Sequence, residues 1–184
     1  MINTLVRIVT FSSGRIPRKG EGQSGETWHG LGLLRSSLAL VAVLVLALPA
    51  TAGAGLTRTE SLLIRELNRV RAEHGLSRLR YDATLERAAR AHSRVMLRKD
   101  VFAHGAFRMR LLQFGVTAAI TGENLAWGTG ARSTTRATVV AWLASPEHRA
   151  NLLRPSFTRI GVGALVGPFL GFTGARVVTA DFAG

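Results

Sequence analysis

The sequence is organised around Thr121-Gly122-Glu123-Asn124-Leu125-Ala126-Trp127-Gly128, a short extended piece that sets a carboxylate and an amide side by side between glycines. A lone acid in an apolar run is by itself a weak signal. It gains weight here because two of the five histidines bracket it, His104 in Phe102-Ala103-His104-Gly105 and His148 in Ser145-Pro146-Glu147-His148-Arg149. We therefore expect His104, Glu123 and His148 to converge on one cavity of a folded domain.

The region before this stretch has the period of helices. Thr57-Arg58-Thr59-Glu60 matches a capping box, in which a hydroxyl and a carboxylate serve free backbone donors. Apolar residues then recur at helical spacing as far as Gly75, a residue suited to end a helix. Asp82 is placed to cap a second helix, whose apolar stripe includes His92. We interpret His92 as a half-buried core histidine with one hydrogen-bonded nitrogen, in preference to a ligand.

Three more helices are predicted around and after the central stretch. Phe107 to Phe114 forms a short third helix, and Thr134 or Thr135 caps a fourth. The triplet Ser145-Pro146-Glu147 begins a fifth, with a hydroxyl N-cap and proline in the first turn. His148 falls in that first turn, where the helix dipole disfavours the imidazolium form.

The end of the chain changes to the period of strands. Arg159 to Val166 and Arg176 to Phe182 are rich in β-branched and alternating residues, and Gly167 to Gly174 connects them. This pattern predicts an antiparallel pair. Helices followed by a strand pair predict an α+β fold, with helices packed on a small antiparallel sheet.

Residues 1–54 have the composition of a secretory signal peptide. An apolar run from Leu38 to Leu48 follows Arg35 and gives way to proline and small residues. The run is shorter than the roughly 20 apolar residues of a membrane span. Cleavage after Ala52 or Ala54 fits equally well, and a retained N-terminal anchor is the alternative. The long stretch before the apolar run also fits a translation start assigned too early. We expect no transmembrane span in the mature protein.

Residues 55–184 then form one domain, exported to the cell envelope or the medium. The chain has no cysteine, which excludes a disulfide-stapled scaffold. From residue 53 onward, 19 Lys and Arg stand against 9 Asp and Glu, a formal net charge of +10. The arginines are scattered singly along helix faces with no recognition motif, so we do not expect nucleic acid as a partner. Anionic cell-envelope polymers or lipid head groups suit this charge better, and a solvated basic surface is the plainer alternative.

Six short blocks occur in one order between Leu62 and Phe182: Asn68–Leu76, Ala88–Ser93, Phe102–Gly105, Gly122–Ala126, Trp142–Leu153 and Ile160–Gly163. Together they resemble bacterial members of the CAP superfamily, named for cysteine-rich secretory proteins, antigen 5 and pathogenesis-related 1 proteins. The resemblance implies an α-β-α sandwich with a central cleft lined by His104, Glu123 and His148. It further implies a divalent metal such as zinc, bound through His104 and His148, and in some relatives a sterol or other lipid.

The chain departs from the eukaryotic pattern at Ser145, three residues after Trp142, where those relatives carry a second glutamate. Tetrahedral catalytic zinc usually has three protein ligands and a water, so two histidines predict a weak, exchangeable site. Glu123 has two possible roles. It could activate a metal-bound water as a general base, or accept hydrogen bonds from a histidine ring and fix its tautomer. We favour the second role, and expect Asn124 and Ser145 to satisfy buried backbone groups.

Three hypotheses about function follow. The first is an exported binding module whose cleft holds a metal-linked ligand or a small apolar ligand. The second is a metal-dependent hydrolase that acts on peptide or envelope material, with Glu123 as base. The third is an interaction protein whose basic surface contacts anionic polymers. Whether the protein is an enzyme is left open by the sequence.

Overall fold

The structure, a computed structural model, describes residues 55–184, and the predicted signal peptide lies outside this range. The described part contains helices and strands in the order α1 (Arg58–Glu73), β1 (Arg80–Tyr81), α2 (Ala83–Lys99), α3 (Phe107–Gln113), β2 (Thr121–Gly128), a 3-10 turn (Gly130–Ser133), α4 (Thr135–Ala144), α5 (Pro146–Leu152), β3 (Arg159–Phe169) and β4 (Phe172–Ala183).

The four strands form one sheet in the order β1-β3-β4-β2. Helices α1 and α4 bury Leu63, Leu67 and Trp142 against one face of β3 and β4. Helix α2 covers the other face, with Met96 packed near Leu125 of β2. The predicted α-β-α sandwich is thus confirmed.

The predicted antiparallel sheet is confirmed for β2, β3 and β4, and one short strand that was not predicted makes the sheet mixed. Strand β1 pairs in parallel with the start of β3, through Arg80 and Arg159 and through Tyr81 and Ile160. A strand of two residues is too short to show alternation in the sequence. The β3–β4 connection is also shorter than predicted, because the strands run through Gly167 and Gly174 and leave only Leu170 and Gly171 between them.

Helix α2 lies directly on the backbone of β3. A Cβ atom built on Gly161 would come within 2.1 Å of the Glu86 backbone nitrogen, and one on Gly163 within 2.4 Å of the Arg90 nitrogen. The hydroxyl of Ser93 accordingly reaches the backbone, and donates to the carbonyl of Gly163 at 2.9 Å. Only glycine allows this separation of helix and strand.

The predicted helix ends are confirmed where side chains cap them. Thr57 and Glu60 form the capping box of α1. Asp82 accepts from the backbone nitrogens of Thr84 and Leu85 at the start of α2, and Gly75 follows α1 with a φ of +68°.

Glu60 also closes an open edge of the sheet. Because β1 ends at Tyr81, β3 has no strand partner on that side beyond Ile160 within residues 55–184. Glu60 Oε1 accepts from the Ala164 backbone nitrogen at 3.1 Å, and the same buried carboxylate forms an ion pair with Arg90 of α2. One side chain therefore joins α1, α2 and β3.

We predict that Glu60→Gln destabilises the domain by about 1–3 kcal/mol at pH 7, because it removes one of the two carboxylates that pair with Arg90 and leaves only Glu86. Burial alone would raise the pKa of Glu60, but the hydrogen bonds from Arg90, Thr57 and Ala164 outweigh it, so the pKa lies below its usual value. The contribution of ionised Glu60 to stability is complete above its pKa in the unfolded chain, about 4.3. It is lost as the pH falls through the lower pKa of the folded state. Denaturant unfolding from pH 7 to pH 3 should show that the difference in unfolding free energy between wild type and variant decreases below about pH 4.

Glu73→Gln is the matched control, because Glu73 makes an exposed ion pair with Arg69 on the same helix. It should leave the unfolding midpoint nearly unchanged. If the difference in unfolding free energy between wild type and Glu60→Gln stays constant down to pH 3, the ionised Glu60 carboxylate does not stabilise the domain as assigned.

Candidate functional site

Two carboxylates face each other inside the sheet. Glu123 of β2 and Asp181 of β4 are direct register partners, and both are buried. Like charges directly opposite on neighbouring strands are destabilising. Arg110 of α3 relieves this repulsion, because its guanidinium donates to Glu123 Oε2 and to Asp181 Oδ1, the latter at 3.2 Å.

Burial dominates the ionisation of both acids. It raises the pKa of Glu123 to about 7, against the opposing positive charge of Arg110. It raises the pKa of Asp181 well above its usual range, and the neighbouring charge of Glu123 adds to the effect. Two buried carboxyl groups that share one guanidinium favour a state in which one of them holds a proton.

His104 lies against this carboxylate pair. It stands in the turn after α2, and its Nδ1 is 2.6 Å from Glu123 Oε1. Because Arg110 already donates to the same carboxylate, we assign His104 Nδ1 as a second donor. His104 Nε2 is buried and has no hydrogen-bond partner among the described residues. Burial, and secondarily the charge of Arg110, lowers the pKa of His104 to about 4, so the ring is neutral at pH 7.

His148 lies in the first turn of α5, which packs beside β2. Asn124 Nδ2 donates to the His148 carbonyl at 3.1 Å, and Asn151 Nδ2 donates to Asn124 Oδ1 at 2.9 Å, so two amides attach α5 to β2. Both ring nitrogens of His148 are buried without a partner in residues 55–184. Burial, and then the nearby charge of His104, lowers the pKa of His148 to about 4.

Two further expectations concern neighbours of this site. His92 is confirmed as a core histidine, since its Nε2 lies 2.9 Å from the Ala103 carbonyl. It also holds the turn that carries His104. The expectation for Ser145 was wrong, because its hydroxyl neither caps α5 nor bonds a backbone group. The start of α5 instead relies on Pro146, which has no backbone N–H that would need an acceptor.

The sequence analysis missed Arg110, Asp181 and Asn151. Arg110 is one of 18 arginines after residue 53, and nothing in its spacing marks it. Asp181 carried a usable signal, since it is the one acid in the apolar stretch from Val177 to Ala183. A charge in a buried strand requires a partner, and that requirement points to a buried cation.

The donor set fits a metal with two protein ligands. Within residues 55–184, no group of three or more His, Cys, Asp and Glu side chains is arranged to hold an ion. His104 Nε2 and the ring nitrogens of His148 are nevertheless buried, neutral and unpartnered, which is the state of imidazole that binds zinc and similar metals. Both oxygens of Glu123 already accept hydrogen bonds, so neither is free to serve as a third ligand.

A separate groove of about 460 Å³ lies between α1 and the start of α4, lined by Leu62, Arg65, Glu66, Arg69, Thr135 and Arg136. It does not include any of the three residues of the site. Its charge would suit an anionic group, although Arg69 is already paired with Glu66 and Glu73.

We predict that Arg110→Met destabilises the domain by about 3–5 kcal/mol, because it leaves two buried carboxyl groups without a cation. In a Glu123→Gln background the same change should cost at least about 1 kcal/mol less, because one of the two acids that the guanidinium serves is already gone. Urea unfolding of the four proteins of this double-mutant cycle measures the difference.

Arg108→Met is the control, because Arg108 is exposed on the same helix. It should have little effect in either background. If the effects of Arg110→Met and Glu123→Gln on the free energy of unfolding simply add, the two side chains do not stabilise each other and the assigned ion pair is excluded.

Comparison with known proteins agrees with this architecture. The model of the cysteine-rich secretory protein (CAP) family matches residues 64–182, more than half of the chain. The uncharacterized protein YkwD of Bacillus subtilis (strain 168) is 38% identical over 109 residues, which cover 56% of this chain and 41% of that protein. The chain thus spans less than half the length of this relative.

Two solved structures are similar. An extracellular protein containing a SCP domain from Bacillus anthracis matches with a TM-score of 0.58 and 28% identity, over 68% of this chain and 40% of the other. An outer surface protein of Borrelia burgdorferi matches with a TM-score of 0.56 and 24% identity, over 67% and 92%, which shows the shared fold alone. No helix in residues 55–184 is long and apolar enough to cross a membrane.

Proposed function

The chain belongs to the cysteine-rich secretory protein (CAP) family, and we propose that it is an exported binding module whose two histidines, His104 and His148, hold a divalent metal such as zinc. One observation carries the proposal: three buried imidazole nitrogens on these two rings have no hydrogen-bond partner in the described part of the chain. Such nitrogens are costly to bury unless a ligand or water completes them.

The neighbouring charges support the same reading. Glu123 holds Nδ1 of His104 and so leaves Nε2 as the lone-pair nitrogen. A carboxylate behind a metal-binding histidine fixes the ring and raises its basicity. Arg110 donates to Glu123 and to Asp181 in turn, so the orientation of His104 depends on a chain of three ionisable groups.

A bound ion would act as a Lewis acid with its remaining positions open to water or to a small ligand. Two protein ligands make the site weak and exchangeable, in keeping with a binding role. The similarity to an extracellular protein and to an outer surface protein supports a location in the medium or the cell envelope. We propose that the module binds a small molecule, a lipid or an anionic polymer in that location.

We predict that the full chain binds zinc after stripping with a chelator, and that the His104→Ala and His148→Ala double variant loses this zinc. Glu123→Gln should keep the zinc but bind it about 10- to 100-fold more weakly, as expected when a supporting carboxylate is removed. Equilibrium dialysis followed by metal analysis measures both effects.

His74→Ala is the control histidine, because His74 is exposed at the end of α1. It should bind zinc as the wild type does. Equal zinc content in the double variant and the wild type would exclude the proposed site. An unchanged affinity in Glu123→Gln would exclude only the supporting role of Glu123.

A metal-dependent hydrolase is the second candidate, favoured by one observation. Burial raises the pKa of Glu123 to about 7, and a carboxyl group with such a pKa is suited to proton transfer near neutral pH. Against this role, both carboxylate oxygens are engaged by His104 and Arg110. On any peptide or envelope substrate that the protein cleaves, Glu123→Gln should lower kcat by about 100-fold or more if Glu123 is the base. Intact turnover would exclude this mechanism.

A further inference from the structure

The turn between β3 and β4 has an unusual residue at its tip. Phe169 and Phe172 are paired, and Leu170 and Gly171 connect them with φ angles of +48° and +82°. A two-residue hairpin turn with positive φ at both positions is normally built from Asn-Gly, Asp-Gly or Gly-Gly. A leucine is strained in this conformation, and strained residues that persist often have a functional role.

The strained leucine lies in an exposed apolar cluster, the hairpin tip, which we define as Val101, Leu170 and Phe172. These side chains are 53%, 40% and 40% exposed. The Leu170 backbone nitrogen donates to Asp100 Oδ1 at 2.5 Å, which fixes the turn beside Val101.

Aromatic packing makes a firm base for the hairpin tip. The ring of Phe172 lies 5.6 Å from that of Trp127, and the buried Phe169 contacts Trp127 and Phe102 edge to face. The apolar side chains are thus presented on a rigid support.

Basic residues stand beside the hairpin tip at the end of α2. Arg98 and Lys99 are exposed and directly precede Asp100 and Val101. One oxygen of Asp100 is used by the turn. The charge next to the apolar side chains is therefore positive on balance.

We propose that the hairpin tip docks the domain on an anionic lipid bilayer, with Leu170 and Phe172 inserted among the head groups and the basic residues paired with phosphates. Apolar area and attraction to anionic lipid together set the strength of interfacial binding. A polyanion would use the charge but leave the apolar residues in water. A protein partner would not require positive charge beside the apolar side chains. The predicted export segment would deliver the domain to such a surface.

This surface is distinct from the histidine site. Trp127 stands four residues along β2 from Glu123, a distance of roughly 13 Å. The proposal does not depend on metal binding. It extends the proposed function by placing the domain at a membrane surface.

The absence of cysteine from the chain allows a local test in the full-length protein. Leu170→Cys and, as control, Val140→Cys are labelled with an environment-sensitive fluorophore. Val140 is 57% exposed on α4, away from the hairpin. Vesicles of phosphatidylcholine alone, or mixed equally with phosphatidylglycerol, are then added. We expect a several-fold rise and a blue shift at position 170 with the anionic vesicles only, reduced by salt, and no change at position 140.

Leu170→Asn separates docking from folding. Asn-Gly suits the turn better than Leu-Gly, so the thermal midpoint should stay the same or rise, while affinity for the anionic vesicles falls by about tenfold. Val140→Asn should leave the affinity unchanged.

Three results would overturn the proposal. They are an unchanged signal at position 170 on vesicles to which the protein is bound, an equal response at position 140, and wild-type affinity in Leu170→Asn. A signal at position 170 that depends on protein concentration and not on lipid would assign the hairpin tip to self-association instead.

Discussion

The close contact between α2 and β3 is the constraint on which the rest of the structure depends. At Gly161 and Gly163 the helix backbone occupies the space that side chains would take. The small separation lets Ser93 reach the sheet and lets His92 hold the turn that carries His104. A larger residue on β3 would push α2 outward and move that turn away from β2. The glycines therefore determine the position of His104, although they lie on a different strand from Glu123.

Electrostatics inside the sandwich determines which groups are charged. Glu123 and Asp181 are buried opposite each other and share the single guanidinium of Arg110. The three nearby imidazoles are held neutral, since burial lowers the pKa of His92 to about 3 and those of His104 and His148 to about 4. The site thus combines neutral nitrogen donors with a nearly balanced anionic support, a combination that favours a bound cation over an anion.

The sequence predicted what depends on local pattern. Helix ends at Thr57 and Asp82 follow from short-range hydrogen bonds, and the α+β arrangement follows from the change of period along the chain. The three-layer sandwich was implied by the resemblance to the CAP superfamily. What it missed depends on contacts between distant residues. Arg110 reaches Glu123 and Asp181 across 13 and 71 positions, and β1 is defined only by its pairing with β3. No local pattern encodes such partners. The isolated Asp181 in a buried strand is the one residue whose sequence context indicates that a cation must lie nearby.

Strand β2 connects the two surfaces to which we assign roles. Glu123 near its beginning supports His104, and Trp127 near its end supports the aromatic base of the hairpin tip. All of its residues except Trp127 are buried, and β4 pairs with it along its whole length. A strand held on both faces and paired throughout behaves as a rigid element. Contact at the hairpin tip would therefore fix the orientation of the histidine site, and a ligand drawn from the bilayer would meet that site in a single geometry.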